Sequence, residues 1–155
     1  MFSAHYDSPV GPLMLTSDGD ALTGLSFGAA PSPDDDLPLF ETARAWLDGY
    51  FAGRDPGPTP PLRPAGTDFQ QRVWRELSAI PFGRTTSYGA VARAVGCPSP
   101  RAVGQAIHGN PIALMIPCHR VVGADGRLTG FAGGLEVKRR LLALEGSLPS
   151  GQRDR

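Results

Sequence analysis

The chain has little of several things. Its 155 residues include two cysteines, Cys97 and Cys118, three histidines and one lysine, Lys138. So few cysteines argue against a disulfide framework and fit a reducing cytosol. His5, His108 and His119 are scattered, and no Cys/His spacing suits structural zinc. No apolar run approaches the roughly 20 residues of a membrane-spanning helix. The first residues, "MFSAHYDSPVGPLML", carry neither a basic start nor an apolar core, so no signal peptide is expected. These shortages predict a cytoplasmic protein with no metal and no membrane contact.

What is present divides in two. The formal net charge is zero. Residues 1–62 nevertheless hold nine acids against two bases, Arg44 and Arg54, a balance of −7. Residues 63–155 hold thirteen bases against six acids, a balance of +7. Such asymmetry suggests that the second half meets a polyanion. Nearly all the basic residues are arginine, which suits phosphate forks and stacking, though codon bias would also raise arginine.

The boundary between the halves is visible. "GRDPGPTPPLRPAG" is too rich in proline for a helix or sheet interior and reads as a stiff linker. Before it, "PVGPLMLTSDGDALTGLSFG" alternates apolar runs with Gly/Asp turns, as a hairpin or meander does. "LPLFETARAWLDGYFAG" then spaces Leu39, Ala43, Trp46, Leu47 and Tyr50 for one helical face. Residues 1–62 thus read as a small acidic α+β unit without identifiable chemistry.

Residues 63–155 read as mainly helical. Thr67 and Gln70 form a capping-box pattern ahead of the face Phe69, Val73, Trp74 and Leu77. "SYGAVARAVG", "CPSP" and "PRAVGQAIHG" spell helix, tight turn, helix, a pattern shared by DNA-binding helix-turn-helix units and ordinary αα-hairpins. Around Arg101 the second helix carries Ala102, Gly104 and Ala106, too small to reach base edges. They suit close approach to a minor groove with one projecting arginine, or equally packing against a core.

"IPCHRVVG", residues 116–123, sets a cysteine beside a histidine. Cys118 could be a small buried hydrophobe, as free cysteine often is. A catalytic thiol would need a base, because near neutral pH little of it is thiolate. His119 is the candidate, yet neighbours on an extended chain point to opposite faces. Either the backbone turns sharply after Pro117 or a water relays the proton. Glu145 ends the helix "LEVKRRLLALE", where the macrodipole disfavours an anion, so it is a candidate acceptor to orient the histidine.

Taken together, "FQQRVWREL", "IPFGRTTSYGAVA", "RAVGQAIHGNP", "IPCHRVV" and "GFAGGLEVKRRLLALEG" resemble the O6-alkylguanine-DNA alkyltransferase family over residues 67–146. The acidic front half has the length and layout of that family's N-terminal domain. The resemblance implies an α+β protein: a small ribonuclease H-like domain over residues 1–62, then a winged-helix-like domain with a helix-turn-helix over residues 63–155. It implies direct repair in which Cys118 takes the alkyl group from O6-alkylguanine, and from O4-alkylthymine as a further substrate, once per molecule. His119 would be the base through a water, Glu145 its orienting carboxylate, and Asn110 a brace between site and DNA-binding helix. Arg101 would replace the flipped nucleotide from the minor-groove side, with Ala102 and Gly104 beside it. Tyr88 would help rotate the phosphate and polarise the guanine. Val121, Thr129, Phe131, Ala132 and Gly133 would line the pocket.

The implied partner is double-stranded DNA bearing alkylated guanine, bound by a monomer without cofactor. Three features depart from some or many relatives. The front half has no cysteine for the zinc that some members bind, Phe131 stands where many have tyrosine, and Thr129 stands where some have glycine. The competing class is a non-catalytic lesion sensor, whose relatives carry tryptophan at the cysteine position. Cys118, His119 and Glu145 together argue against it.

Overall fold

The computed structural model describes residues 1–28, 33–131 and 133–148. Two compact units emerge: Met1–Ala65 together with Pro111–Ala113, and Gly66–Asn110 together with the chain from Leu114 onward.

The first unit is built on a meander. Strands β1 (Phe2–Ser8), β2 (Gly11–Ser17) and β3 (Leu22–Phe27) form an antiparallel sheet in that order. Alternation places Ala4, Leu13, Leu15 and Leu25 in the core, and an irregularity of register between Thr16 and Ser17 brings Leu22 inward as well. Helix α1 (Pro38–Phe51) starts on a proline that needs no N–H partner and buries Phe40, Ala43, Trp46, Leu47 and Tyr50. Phe40, not Leu39, takes the first inward position, because the helical register running back from Tyr50, Leu47 and Ala43 reaches residue 40.

The proline-rich segment does more than connect. Leu22 N–H donates to the Pro61 carbonyl at 2.8 Å and Arg63 N–H to the Leu22 carbonyl at 2.7 Å, so its end runs along β3. Trp46 Nε1 also donates to the Gly57 carbonyl at 3.1 Å. Further along β3, Leu25 N–H donates to Pro111 O at 2.9 Å and Ala113 N–H to Leu25 O at 3.0 Å. Those bonds place residues 111–113 in the first unit.

The second unit is mainly helical. Helix α2 (Asp68–Ser78) begins with the full capping box: Thr67 Oγ1 accepts from Gln70 N–H at 3.1 Å and Gln70 Oε1 from Thr67 N–H at 2.9 Å. Val73, Trp74 and Leu77 are buried, while Phe69 stays half-buried under the Arg72 guanidinium, 5.6 Å from its ring centre. Helix α3 (Tyr88–Val95) is capped by Ser87 and stopped by Gly96 at φ 70°, a left-handed position that glycine adopts without strain. Helix α4 (Pro100–His108) is capped by Ser99 and tied to α2 by Trp74 Nε1, which donates to Ala106 O at 2.8 Å. Helix α5 (Leu135–Leu144) closes the unit. A meander unit and a mainly helical unit with helix, turn and helix at its centre make the chain α+β.

Candidate active site

Pro117 sets the geometry of the site. At φ −80° and ψ 65° it forms an inverse γ-turn, with Cys118 N–H donating to Ile116 O at 2.8 Å. A single 3-10 turn, Cys118–Arg120, follows, with Arg120 N–H on Pro117 O at 3.0 Å. The backbone therefore turns sharply at this point, and Cys118 and His119 are not on opposite faces of a strand. Leu114, four residues earlier, is buried at φ 71°, a conformation uncommon outside glycine that needs its surroundings to hold it.

After the turn, β5 (Val121–Val122) pairs in parallel with β4 (Thr86–Ser87), Thr86 opposite Val121. Parallel pairing of two residues is weak alone, but it fixes the start of α3, and so Tyr88, beside the segment that follows Cys118. Tyr88 is the first residue of α3. Its hydroxyl accepts from Thr129 Oγ1 at 2.8 Å, and its ring meets His108 edge-on with centres 6.4 Å apart.

His119 and Glu145 are both buried. His119 Nε2 lies 2.6 Å from Glu145 Oε2. Arg120 completes the carboxylate's shell: its Nε donates to Oε1 at 2.8 Å, one terminal nitrogen to Oε2 at 3.2 Å, and the other to Ile80 O at 2.7 Å. Glu145 is the C-cap residue of α5. The fork of Arg120 offsets an anion at a helix end that would otherwise repel it. Burial pushes the His119 imidazole below its ordinary pKa; the bond to Glu145 opposes that, and the charges of Arg120 and Lys138 reinforce it. The ring rests neutral.

The Cys118 residue keeps some exposure, but its thiol is enclosed. Burial pushes its pKa up, while Asn110, the charge of Lys138 and the backbone amides of Cys118 and His119 pull it down. Asn110 Nδ2 also donates to Ile116 O at 2.7 Å, clamping the turn just before the cysteine. Burial wins, so a neutral thiol sits in a shell of groups that favour its anion.

The residues named from the sequence fall into two groups. Cys118, His119, Glu145 and Asn110 converge through the contacts above, buried Val121 follows directly, and Phe131 packs edge-on to His119 with ring centres 6.4 Å apart. Gly133 lies in the turn before α5, and Ala132 falls outside the described residues. Arg101 and Ala102 stand instead at the start of α4, where Arg101 is exposed and Ala102 N–H donates to Ser99 Oγ at 3.2 Å. Gly104 faces Tyr88; a Cβ there would lie 4.0 Å from Tyr88 Cδ1.

Two residues of the site escaped the sequence reading. Arg120 is one. The other is Lys138, fully buried, whose Nζ donates to Val121 O at 2.7 Å and Thr129 O at 2.9 Å.

Fold and site together define a helix-turn-helix protein with a buried cysteine–histidine–glutamate arrangement. Residues 68–147 match the 6-O-methylguanine DNA methyltransferase DNA-binding domain and residues 1–63 the ribonuclease-like domain of the same family. The chain belongs to the 6-O-methylguanine DNA methyltransferase family. It is 43% identical over 155 residues to a methylated-DNA–protein-cysteine methyltransferase of Methanosarcina acetivorans, covering 95% of this chain and 99% of the relative. A protein of that name from Mycobacterium tuberculosis is 48% identical over 153 residues, covering 92% of this chain and 93% of the relative. Among solved structures, the Mycobacterium tuberculosis OGT in complex with DNA superposes with a TM-score of 0.87 at 46% identity, covering 95% of this chain and 94% of that one.

Proposed function

We propose that this chain repairs alkylated DNA directly, moving the alkyl group from O6 of guanine to the sulfur of Cys118. The observation that carries the reading is the buried His119–Glu145 bond of 2.6 Å directly beside a cysteine on a turn. A structural cysteine needs no such apparatus. The family's named activity and the DNA-bound relative support the same reading.

In this account His119, oriented through Nε2 by Glu145, takes the thiol proton through Nδ1 by way of a water. The thiolate then attacks the alkyl carbon in line. The carbon–O6 bond breaks, its electron pair stays with the base, and a proton returned to the ring leaves ordinary guanine. Cys118 ends as a neutral thioether. Tyr88 donates from its hydroxyl as negative charge develops on the leaving guanine. The resting thiol is neutral, so the anion is made where it is used, against Asn110, the amides of the turn and Lys138.

The alkylated oxygen lies inside the DNA stack, so the nucleotide must leave it, at a cost of a few kcal/mol. Exposed Arg101, among small residues on α4, fills the vacated space from the minor-groove side. Val121, Thr129, Phe131 and Gly133 line the pocket around the flipped base, and β-branched Thr129 disfavours bulky alkyl groups. O4-alkylthymine presents the same alkyl–oxygen bond and is a second substrate. One chain supplies every named group, so the protein acts as a monomer, in the reducing cytoplasm that a thiol nucleophile needs. The reaction draws on no metal or cofactor.

The test is Cys118→Ala on duplex DNA containing O6-methylguanine. Transfer is expected to vanish while lesion binding stays nearly intact, since the sulfur contributes little to holding the base. Binding lost in parallel with transfer would make Cys118 a structural residue.

A further inference from the structure

One buried charge of the second unit is not part of the proton path. Lys138 is the only lysine in the chain and is fully buried in α5. A buried ammonium is expensive unless it is paired or well hydrogen-bonded. It shares the buried face of α5 with Leu141 and Leu142, three and four residues further on. A leucine or methionine would suit the burial better. Among the described residues no carboxylate bonds to Lys138. Its bonds go to two backbone carbonyls, those of Val121 and Thr129, at 2.7 and 2.9 Å.

Those carbonyls belong to different parts of the site. Val121 follows the Cys118 turn and pairs with Thr86 beside Tyr88. Thr129 belongs to the pocket wall and donates its hydroxyl to Tyr88. One ammonium thus ties the backbone behind the nucleophile to the residue that holds the tyrosine. Its charge also bears on the cysteine: Lys138 favours the Cys118 anion, and the Cys118 anion favours the lysine cation. The other charged or titratable groups at the turn are His119, Arg120 and Glu145, which form their own cluster.

We propose that Lys138 is a positioning residue for alkyl transfer, a buried cation that joins the Cys118 turn to the Thr129–Tyr88 pair and steadies the thiolate as it forms. The role rests on the reading of Cys118 as the alkyl acceptor. It explains why a cation occupies an apolar helix face. Burial holds Lys138 down to about 8 and pushes the Cys118 thiol up, so near neutral pH both protons are in place. At neutral pH the lysine is mostly cationic and the cysteine mostly neutral, which is the state ready to receive a negative sulfur.

Because the chain has a single lysine, its side chain can be watched alone. Protein grown with [ε-13C]lysine gives one side-chain signal, whose shift with pH reports Lys138 in the DNA-free protein. The expected result is that Cys118→Asp raises the lysine midpoint by roughly half a pH unit or more, since a standing anion then occupies the place where the thiolate forms. In Lys138→Met, alkylation of Cys118 by iodoacetamide, located by peptide mapping to separate it from Cys97, is expected to require higher pH than in the parent. An unchanged lysine midpoint in Cys118→Asp overturns the proposal, whether or not Lys138→Met folds. Neither readout uses DNA, so loss of repair activity in the parent would defeat the alkyl-transfer reading while leaving the lysine result to stand or fall separately.

Discussion

The two units handle charge in opposite ways. In the first, the ion pairs are wet: His5 Nδ1 meets Asp34 at 2.6 Å with side chains 42% and 33% exposed, and Arg44 spans Asp34 and Glu41 at the surface. In the second, His119 and Glu145 are fully buried in their side chains, with Arg120 and Lys138 almost or entirely so. Of the buried polar or charged residues described, only Ser17 lies in the first unit. Exposed pairs contribute about 0–1 kcal/mol, whereas a buried pair must offset several kcal/mol of desolvation per ion. A fold that needed only stability would fill such positions with leucine. Buried charge concentrated around one thiol is the mark of chemistry, and the acidic front unit shows what the same chain does without it.

Breaking the buried cluster should have the largest effect on stability. Glu145→Ala leaves Arg120 and His119 without their shared carboxylate and is expected to cost about 3–5 kcal/mol in denaturant melts. The parent should also weaken in acid. His119 is held below its ordinary pKa of about 6.5, so its contribution is complete above that pH and falls away as pH drops toward the folded value. A melt insensitive to pH between roughly 7 and 5 would contradict a buried neutral imidazole.

A smaller and more selective effect is expected on α4. Arg101→Ala should slow repair of duplex DNA by roughly tenfold or more, since about 1.4 kcal/mol lost from flipping already gives that factor. Reaction with free O6-methylguanine base, which needs no flipping, should be nearly unchanged. Equal losses on both substrates would remove Arg101 from the displacing role.

The smallest effect belongs to the first unit. Asp34→Asn breaks the pairs with His5 and Arg44, yet should cost under about 1 kcal/mol and leave transfer unchanged, because those partners stay hydrated. A loss comparable to that of Glu145→Ala would erase the contrast between the units.

Local signals made much of this legible in the sequence. Thr67 with Gln70, Ser99 before Pro100, and Gly96 ending α3 are capping chemistry within a few residues, and they mark the helices where the structure has them. The pairing of His119 with Glu145, 26 residues apart, followed from an anion standing at an unfavourable helix end. Non-local bonds were the harder part. Nothing near Pro61 or Pro111 signals that both segments line β3, because backbone ladder bonds leave no side-chain signature. The turn after Pro117 was one of two alternatives, since proline fixes φ but not ψ. Arg120 reads as an ordinary basic residue until Glu145 is seen beside it. Lys138 did carry a signal, a cation at apolar helical spacing, which composition alone obscures.

Stoichiometry tests the central claim most directly. A thioether on Cys118 is a poor electrophile, and Cys97, which follows Gly96 between α3 and α4, turns its thiol to Ser99 O at 3.6 Å and forms no disulfide with Cys118. The alkyl group therefore stays where it lands. The protein is incubated with excess duplex DNA containing O6-methylguanine, then measured by intact mass and peptide mapping. The account predicts that repair stops at one equivalent per active protein, with a single added methyl on the peptide containing Cys118. Continued turnover, or a methyl recovered on any other residue, would contradict it.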